Sequence, residues 1–204
     1  MRRVSGGFTL VEMLVVVAII VILAAISVPV FETAIKRAER TSCLSNMHNL
    51  GTAANLYADD YDDKYPPARI APPKTSIAAA CWDVTLYDYF VNEEMLLCPS
   101  DQAPAFATGY TCYVHSYGAN WDVLMVNGTT GLALARASLD RPHDTILFFE
   151  IKGSQRATGC DYDIHGVSRV DERHAGGANY TFCDGTAKWM TPGQTTAPVD
   201  RWHP

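Results

Sequence analysis

Residues 7–30 read GFTLVEMLVVVAIIVILAAISVPV, and the reading of this stretch decides the rest of the chain. Every residue from Met13 to Ile26 is apolar. With Phe8 to Val11 before and Ser27 to Val30 after, the run reaches the roughly 20 residues a bilayer-crossing helix requires. One acid, Glu12, stands just inside it. A carboxylate near the middle of such a helix costs about 2.5 to 3.5 kcal/mol on insertion scales. Its presence therefore implies a location near the interface, a partner, or both. If the chain is cut between Gly7 and Phe8, the new ammonium on Phe8 lies about 6 Å above Glu12 along the axis, at about 1.5 Å per residue. A neighbouring copy shifted slightly in register then pairs its amine with this acid.

Two conventional readings fit less well. A secretory signal would start at Arg2 and Arg3 and end in a small-residue cut site near Ala24-Ala25. It leaves Glu12 unexplained, and the apolar run is long for a signal peptide. A twin-arginine leader fails because Val-Ser-Gly-Gly follows Arg2-Arg3 where a longer motif is expected. Positive charge does not orient the helix, since Arg2 and Arg3 are balanced by Lys36, Arg37 and Arg40 on the far side. The cysteines do orient it. Cys43, Cys81, Cys98, Cys112, Cys160 and Cys183 all follow the apolar segment, as expected if that portion enters an oxidising compartment. The leader is then cytoplasmic and the remainder exported.

A short basic leader, a glycine, an aromatic, a Thr-Leu-Val-Glu run and a long apolar helix thus occur together and in order. This segment resembles the amino-terminal segment of type IV pilins and type II secretion pseudopilins. The resemblance implies that a membrane peptidase cuts between Gly7 and Phe8 and methylates Phe8, with Glu12 at the fifth mature position. It implies that Pro29 bends or locally melts the helix, in keeping with the missing donor and steric clash of an interior proline. It also implies, as partners, that prepilin peptidase/methyltransferase, other pilin or pseudopilin subunits and an assembly platform in the inner (cytoplasmic) membrane.

Beyond Pro29 the helical pattern continues through Phe31, Ala34, Ile35, Ala38, Leu44, Met47, Leu50, Ala54 and Tyr57 at steps of three and four. From Phe8 to about Ala58 such a helix is roughly 75 Å long. Its first half is expected in lipid or a filament core, and its second half against a globular domain. Tyr65-Pro66-Pro67 ends the pattern. Asp59, Asp60, Asp62 and Asp63 lack the spacing and glycine of an EF-hand loop and read as an acidic helix end facing water. The expected organisation is a leader at 1–7, a membrane or filament-core helix at 8–30, an amphipathic continuation at 31–64 and an exported α+β domain at 65–204. The roughly 170 residues after the apolar segment suit one domain. The net charge of -6 argues against a dedicated nucleic-acid partner.

Residues 66–74 are proline-rich and predict an irregular excursion, followed by a short helix from Trp82 to Phe90. Strands are expected at Tyr110 to Tyr117, Thr145 to Ile151, Ala178 to Cys183 and Thr186 to Met190. Asp184-Gly185 between the last two is a hairpin signal, both residues tolerating positive φ. The fold class is therefore α+β: a long N-terminal helix packed on a small antiparallel sheet.

The segments CPSD (98–101), SYGAN (116–120) and RHAGGANYTFCDGTAKW (173–189) carry a second resemblance, which extends to CLSNMHNLGTAANLYADDYDDKYP (43–66). They look like a large bacterial group of pilin-like proteins whose signature is a histidine ten residues before Asp-Gly, here His174, Asp184 and Gly185. An enzymatic cluster of Asp161, Asp163, His165, His174 and Asp184 is the competing reading, but its spacing matches no hydrolase motif. A polar bond fixing the Arg173-to-Gly177 loop against the hairpin is the more economical one. No cofactor is expected. Related pseudopilins bind calcium in carboxy-terminal loops, which leaves Asp161 and Asp163 as the alternative for a structural ion. Six cysteines allow many pairings, and Cys98 with Cys112, bracketing a short loop, is the first expected bridge. No Cys-x-x-Cys pair exists to suggest zinc. The expected function is a structural subunit of a pilus-like or pseudopilus filament; the alternative is a membrane-tethered binding or metal-dependent enzymatic domain.

Overall fold

In the computed structural model the described residues are 8–70, 80–89, 92–102, 115–124, 133–152, 162–163, 169–197 and 199–204. They fall into two compact units that divide between Ala38 and Glu39. The first is the apolar part of a single helix, α1, which runs from Leu10 to Asp60. Helical structure continues through Pro29, where the resemblance implied local melting. Proline removes one donor, and the neighbouring turn adds a bond of its own: the Thr33 hydroxyl donates to the Pro29 carbonyl at 3.0 Å. The large apolar side chains from Phe8 to Ile35 are exposed. Phe31 and Ile35, expected on the packed face, are among them.

In the second unit the buried stripe of α1 begins at Cys43 and continues through Met47, Leu50, Gly51, Ala54, Tyr57 and Ala58, spaced by three and four as one helix face requires. A short strand, β1 (Arg69–Ile70), lies inside the stretch read as irregular and pairs antiparallel with β2 (Ala80–Cys81) beyond it. The short helix expected to reach Phe90 is instead one turn, α2 (Trp82–Thr85), followed by a 3-10 turn at Tyr87–Tyr89, and Phe90 lies outside the described residues. A second 3-10 turn spans Glu93–Leu96.

The sheet is built from β3 (Tyr117–Asn120), which leads into a helical turn α3 (Trp121–Leu124), then β4 (Ile146–Glu150), β5 (Tyr162–Asp163), β6 (Ala178–Phe182) and β7 (Ala187–Met190). A last turn, α4, occupies Pro192–Thr196. The spatial order is β5-β3-β4-β6-β7. All pairings among β3, β4, β6 and β7 are antiparallel, as expected, whereas the short edge strand β5 joins β3 in parallel. Most of the strand expected at 110–117 lies outside the described residues.

Both faces of this sheet are covered. Leu147 and Phe148 of β4 share a core with Met47, Leu50, Ala54 and Trp82, while Ile146, Phe149 and Ile151 share another with Tyr180, Phe182 and Trp202. Two adjacent residues face the same core because the register shifts between Ile146 and Phe148, a bulge that breaks simple alternation. The second face is closed by Trp202, whose ring meets Phe149 edge-on at 5.0 Å and whose carbonyl accepts from Asn120 Nδ2 at 2.8 Å. The β6–β7 hairpin forms where Asp184-Gly185 predicts it, with a different turn. Gly185 is the residue at positive φ (85°), and its N–H donates to the Phe182 carbonyl at 2.9 Å. Cys183 and Asp184 therefore occupy the centre of the turn, and glycine follows them.

One cysteine expectation is corrected. Cys98 is bonded to Cys43, with Cα atoms 5.1 Å apart, so the bridge to Cys112 does not form. The buried face of α1 presents Cys43 to the segment after the Glu93–Leu96 turn, and that long-range contact outcompetes the local loop. Cys112 lies outside the described residues. Cys81 is also in a disulfide, and Cys183 is a buried free thiol.

Candidate functional site

Two groups of residues carry the chemistry. The first is the start of α1. Thr9 precedes the first helical residue, and its hydroxyl accepts from the Glu12 N–H at 3.3 Å. In return Glu12 Oε2 accepts the Thr9 N–H at 2.8 Å and the Thr9 hydroxyl at 2.6 Å. This reciprocal arrangement is a capping box, which satisfies donors that the first helical turn otherwise leaves bare. The acid that insertion cost makes improbable thus has a local partner of its own. Phe8 next to it is three-quarters exposed, and Gly7 lies outside the described residues.

The second group is a buried polar cluster in the globular unit. Glu150 at the end of β4 is wholly buried and accepts from the Asn179 N–H at 2.8 Å and Asn179 Nδ2 at 3.2 Å. His174 Nε2 lies 2.9 Å from Glu150 Oε1 and 3.4 Å from Cys98 Sγ, so the imidazole touches both the carboxylate and the disulfide. Beside them Arg173 pairs with Asp101 and with Asp171, each at 2.8 Å, and donates to the Ile151 carbonyl. Cys98 N–H donates to Ser116 Oγ at 3.0 Å. The segments around Cys98, Ser116 and His174 therefore converge on one interior point.

The HAGG turn that delivers His174 has Ala175 and Gly176 at positive φ. A Cβ at Gly177 would lie 2.5 Å from the Trp189 ring, so the turn lies flat on that indole, whose Nε1 donates to the His174 carbonyl at 2.9 Å. Arg40 covers the same indole ring at 4.7 Å. Asp184 has a different role from His174: its carboxylate accepts from the Thr186 N–H and hydroxyl within the hairpin turn. Of the remaining candidates, Asp161 and His165 lie outside the described residues, and Asp163 is placed by its backbone alone, in β5.

The acidic end of α1 is more than a solvated face. Arg136 Nε meets Asp63 Oδ1 at 2.6 Å and its Nη2 meets Asp59 Oδ1 at 2.5 Å. The Arg136 guanidinium, aided by the Ala137 N–H, holds the Asp63 carboxyl below the usual range against the opposing effect of desolvation. Burial pushes the Cys183 thiol well above its ordinary value, so it is a poor nucleophile. Its carbonyl accepts the Tyr65 hydroxyl at 2.7 Å.

Sequence comparison bears on the first group. Residues 2–28 match the family model described as the prokaryotic N-terminal methylation motif. Two fimbrial proteins of Pseudomonas aeruginosa are each 35% identical to this chain over 95 residues, which is 47% of this chain and 54% of theirs. The chain thus spans about half the length of the curated relatives it matches. No solved structure matches it. With the methylation motif at residues 2–28 and one long apolar helix leading into an antiparallel sheet, the chain is type IV pilin-like.

Proposed function

We propose that the chain is a structural subunit of a pilus-like or pseudopilus filament, made with a leader at residues 1–7, cut after Gly7 and methylated on Phe8. The observation that carries this reading is the exposed apolar surface from Phe8 to Phe31, interrupted by one acid, Glu12, at the third helical position. Lateral packing of such surfaces supplies cohesion. Thr9 engages one oxygen of Glu12; the other receives the Phe8 ammonium of a neighbouring subunit and sets register. The role is mechanical rather than enzymatic. The partners are a prepilin peptidase/methyltransferase, other pilin or pseudopilin subunits and an assembly platform in the cytoplasmic membrane. Before assembly the apolar helix crosses that membrane with residues 39–204 exported, in keeping with a Cys43–Cys98 disulfide formed in an oxidising compartment.

The test is intact mass and amino-terminal analysis of the protein from its native membrane. A chain beginning at methylated Phe8 is expected, and a chain beginning at Met1 or near Ile26 overturns the reading. Register is tested separately by two substitutions. Glu12→Gln keeps a side chain that completes a capping box but removes the charge. Glu12→Ala removes both. Each is expected to insert in the membrane and fail to assemble, and normal filaments from Glu12→Gln would sink the charge-pairing role.

A further inference from the structure

The buried cluster holds four metal-ligating groups brought from distant parts of the chain: Cys43 on α1, Cys98 after the Glu93–Leu96 turn, Glu150 on β4 and His174 in the turn before β6. Their donor atoms all lie within 4.8 Å of one another, and every one of the four residues is buried. With the sulfurs bonded to each other, the set is uncharged apart from the Glu150–His174 pair. Reduction changes the electrostatics of this point. A trialkylphosphine, for example, takes up oxygen from water while the disulfide gains two electrons and two protons, giving the phosphine oxide and two thiols. Two thiols, an imidazole and a carboxylate are then enclosed together without solvent.

That donor set matches tetrahedral zinc, with metal–ligand lengths of about 2.0 to 2.3 Å and hence donor separations of roughly 3 to 4 Å. The observed 2.9 and 3.4 Å from His174 Nε2 to Glu150 Oε1 and Cys98 Sγ already approach those edges. Opening the sulfur–sulfur bond supplies the rest. Binding releases the two thiol protons, and the dication offsets charge that the apolar surroundings would otherwise refuse. An outer layer is also in place, because Asn179 holds Glu150 from behind through its N–H and side-chain amide.

We propose that the reduced chain binds one Zn²⁺ at Cys43, Cys98, Glu150 and His174, so that disulfide and metal are alternative occupants of the same interior point. This inference does not rest on the filament reading. The choice between occupants is made as the chain folds, by whether the two thiols first meet a disulfide oxidant or the cation.

The experiment is synthesis of the full chain into detergent micelles with Co²⁺ as the zinc probe, once with a trialkylphosphine and once under oxidising conditions. The reduced chain is expected to bind one equivalent, with thiolate-to-metal charge-transfer absorption and tetrahedral ligand-field bands, and the oxidised chain none. Cys43→Ser/Cys98→Ser is expected to abolish those bands, and Cys183→Ser to leave them unchanged. His174→Ala and Glu150→Gln are each expected to weaken binding by more than about tenfold, since even outer-shell losses cost that much. Both variants are checked for folding in the oxidised form. Absence of bound metal in the reduced chain, or undiminished affinity in folded His174→Ala, overturns the proposal. X-ray absorption of the zinc-loaded natural chain needs no variant: two sulfur and two lighter neighbours support the site, and four sulfurs overturn it.

Discussion

Gly51 of α1 meets Gly185 of the β6–β7 turn backbone to backbone: a Cβ added at Gly51 would lie 3.1 Å from both the Cα and the carbonyl oxygen of Gly185. The same Cβ would lie 2.5 Å from Thr181 Cγ2. Around this contact Thr181 donates its hydroxyl to the Met47 carbonyl at 2.7 Å, and His48 Nδ1 lies 2.9 Å from the Gly185 carbonyl. Helix and hairpin are thus joined where neither has a side chain. Gly51→Ala forces them apart and is expected to cost about 1 to 3 kcal/mol by overpacking, even though alanine is the better helix former. Thermal unfolding of the two proteins side by side checks this, and an unchanged or higher melting temperature for the variant contradicts it.

The Cys43–Cys98 bridge closes a loop across 55 positions of sequence. Chain entropy gives such a loop about 4 kcal/mol of stabilisation. Cys98→Ser is expected to lose a comparable amount under oxidising conditions, and Cys183→Ser far less, because Cys183 forms no bridge. Denaturant midpoints of the two variants, measured without reductant, separate these outcomes.

Glu150 carries three buried interactions on one carboxylate, so its loss orphans donors that water does not reach. Glu150→Ala is expected to destabilise by about 3 to 5 kcal/mol, the range for breaking a buried pair by removing one partner. Glu150→Gln retains an acceptor and is expected to cost less. A denaturant series on both variants measures the difference, and equal midpoints would mean that the acceptor geometry contributes little.

The Arg136 clasp on Asp59 and Asp63 sets a pH dependence. Asp63 binds its proton less readily in the folded chain than in the unfolded one, because the guanidinium stabilises its charged form. Its contribution is therefore complete above the unfolded carboxyl value of about 3.9 and is lost as pH falls through the lower folded value. Arg136→Ala is expected to lower the melting temperature modestly at neutral pH, since the pair is partly exposed, with the gap to the natural chain closing below about pH 4. A gap that stayed constant into acid would show that Arg136 acts through packing alone.

Much of this architecture is legible from residues 7–30 and from the three-and-four spacing of Met47, Leu50, Ala54 and Tyr57, because burial of one helix face follows directly from period. The Asp-Gly turn was equally readable as a hairpin. Its type was not, since Asp-Gly suits both a two-residue turn and a longer turn closed by glycine. The capping box is legible in the spacing of Thr9-Leu-Val-Glu12, although the apolar context makes membrane insertion the stronger signal of the same residues. The buried cluster was not legible. Glu150 sits in the apolar run TILFFEI, Cys43 and Cys98 are distant in sequence, and local spacing favoured Cys112. Contacts between remote segments leave no periodic trace, and the bulge after Ile146 further hides which residues of β4 face His174.

The position of the Cys43–Cys98 bond has a mechanical consequence. It lies at the very start of the buried stripe of α1, so an axial pull on the helix from its amino-terminal side reaches a covalent clasp before it reaches Met47, Gly51 or Thr181. Noncovalent contacts loaded from one end peel in succession, each failing at small force. Behind this bond they are shielded from peeling and have to yield together, in shear. The globular unit is thereby fastened to its helix in the manner of a riveted strap, and reduction would convert the joint into one that unzips.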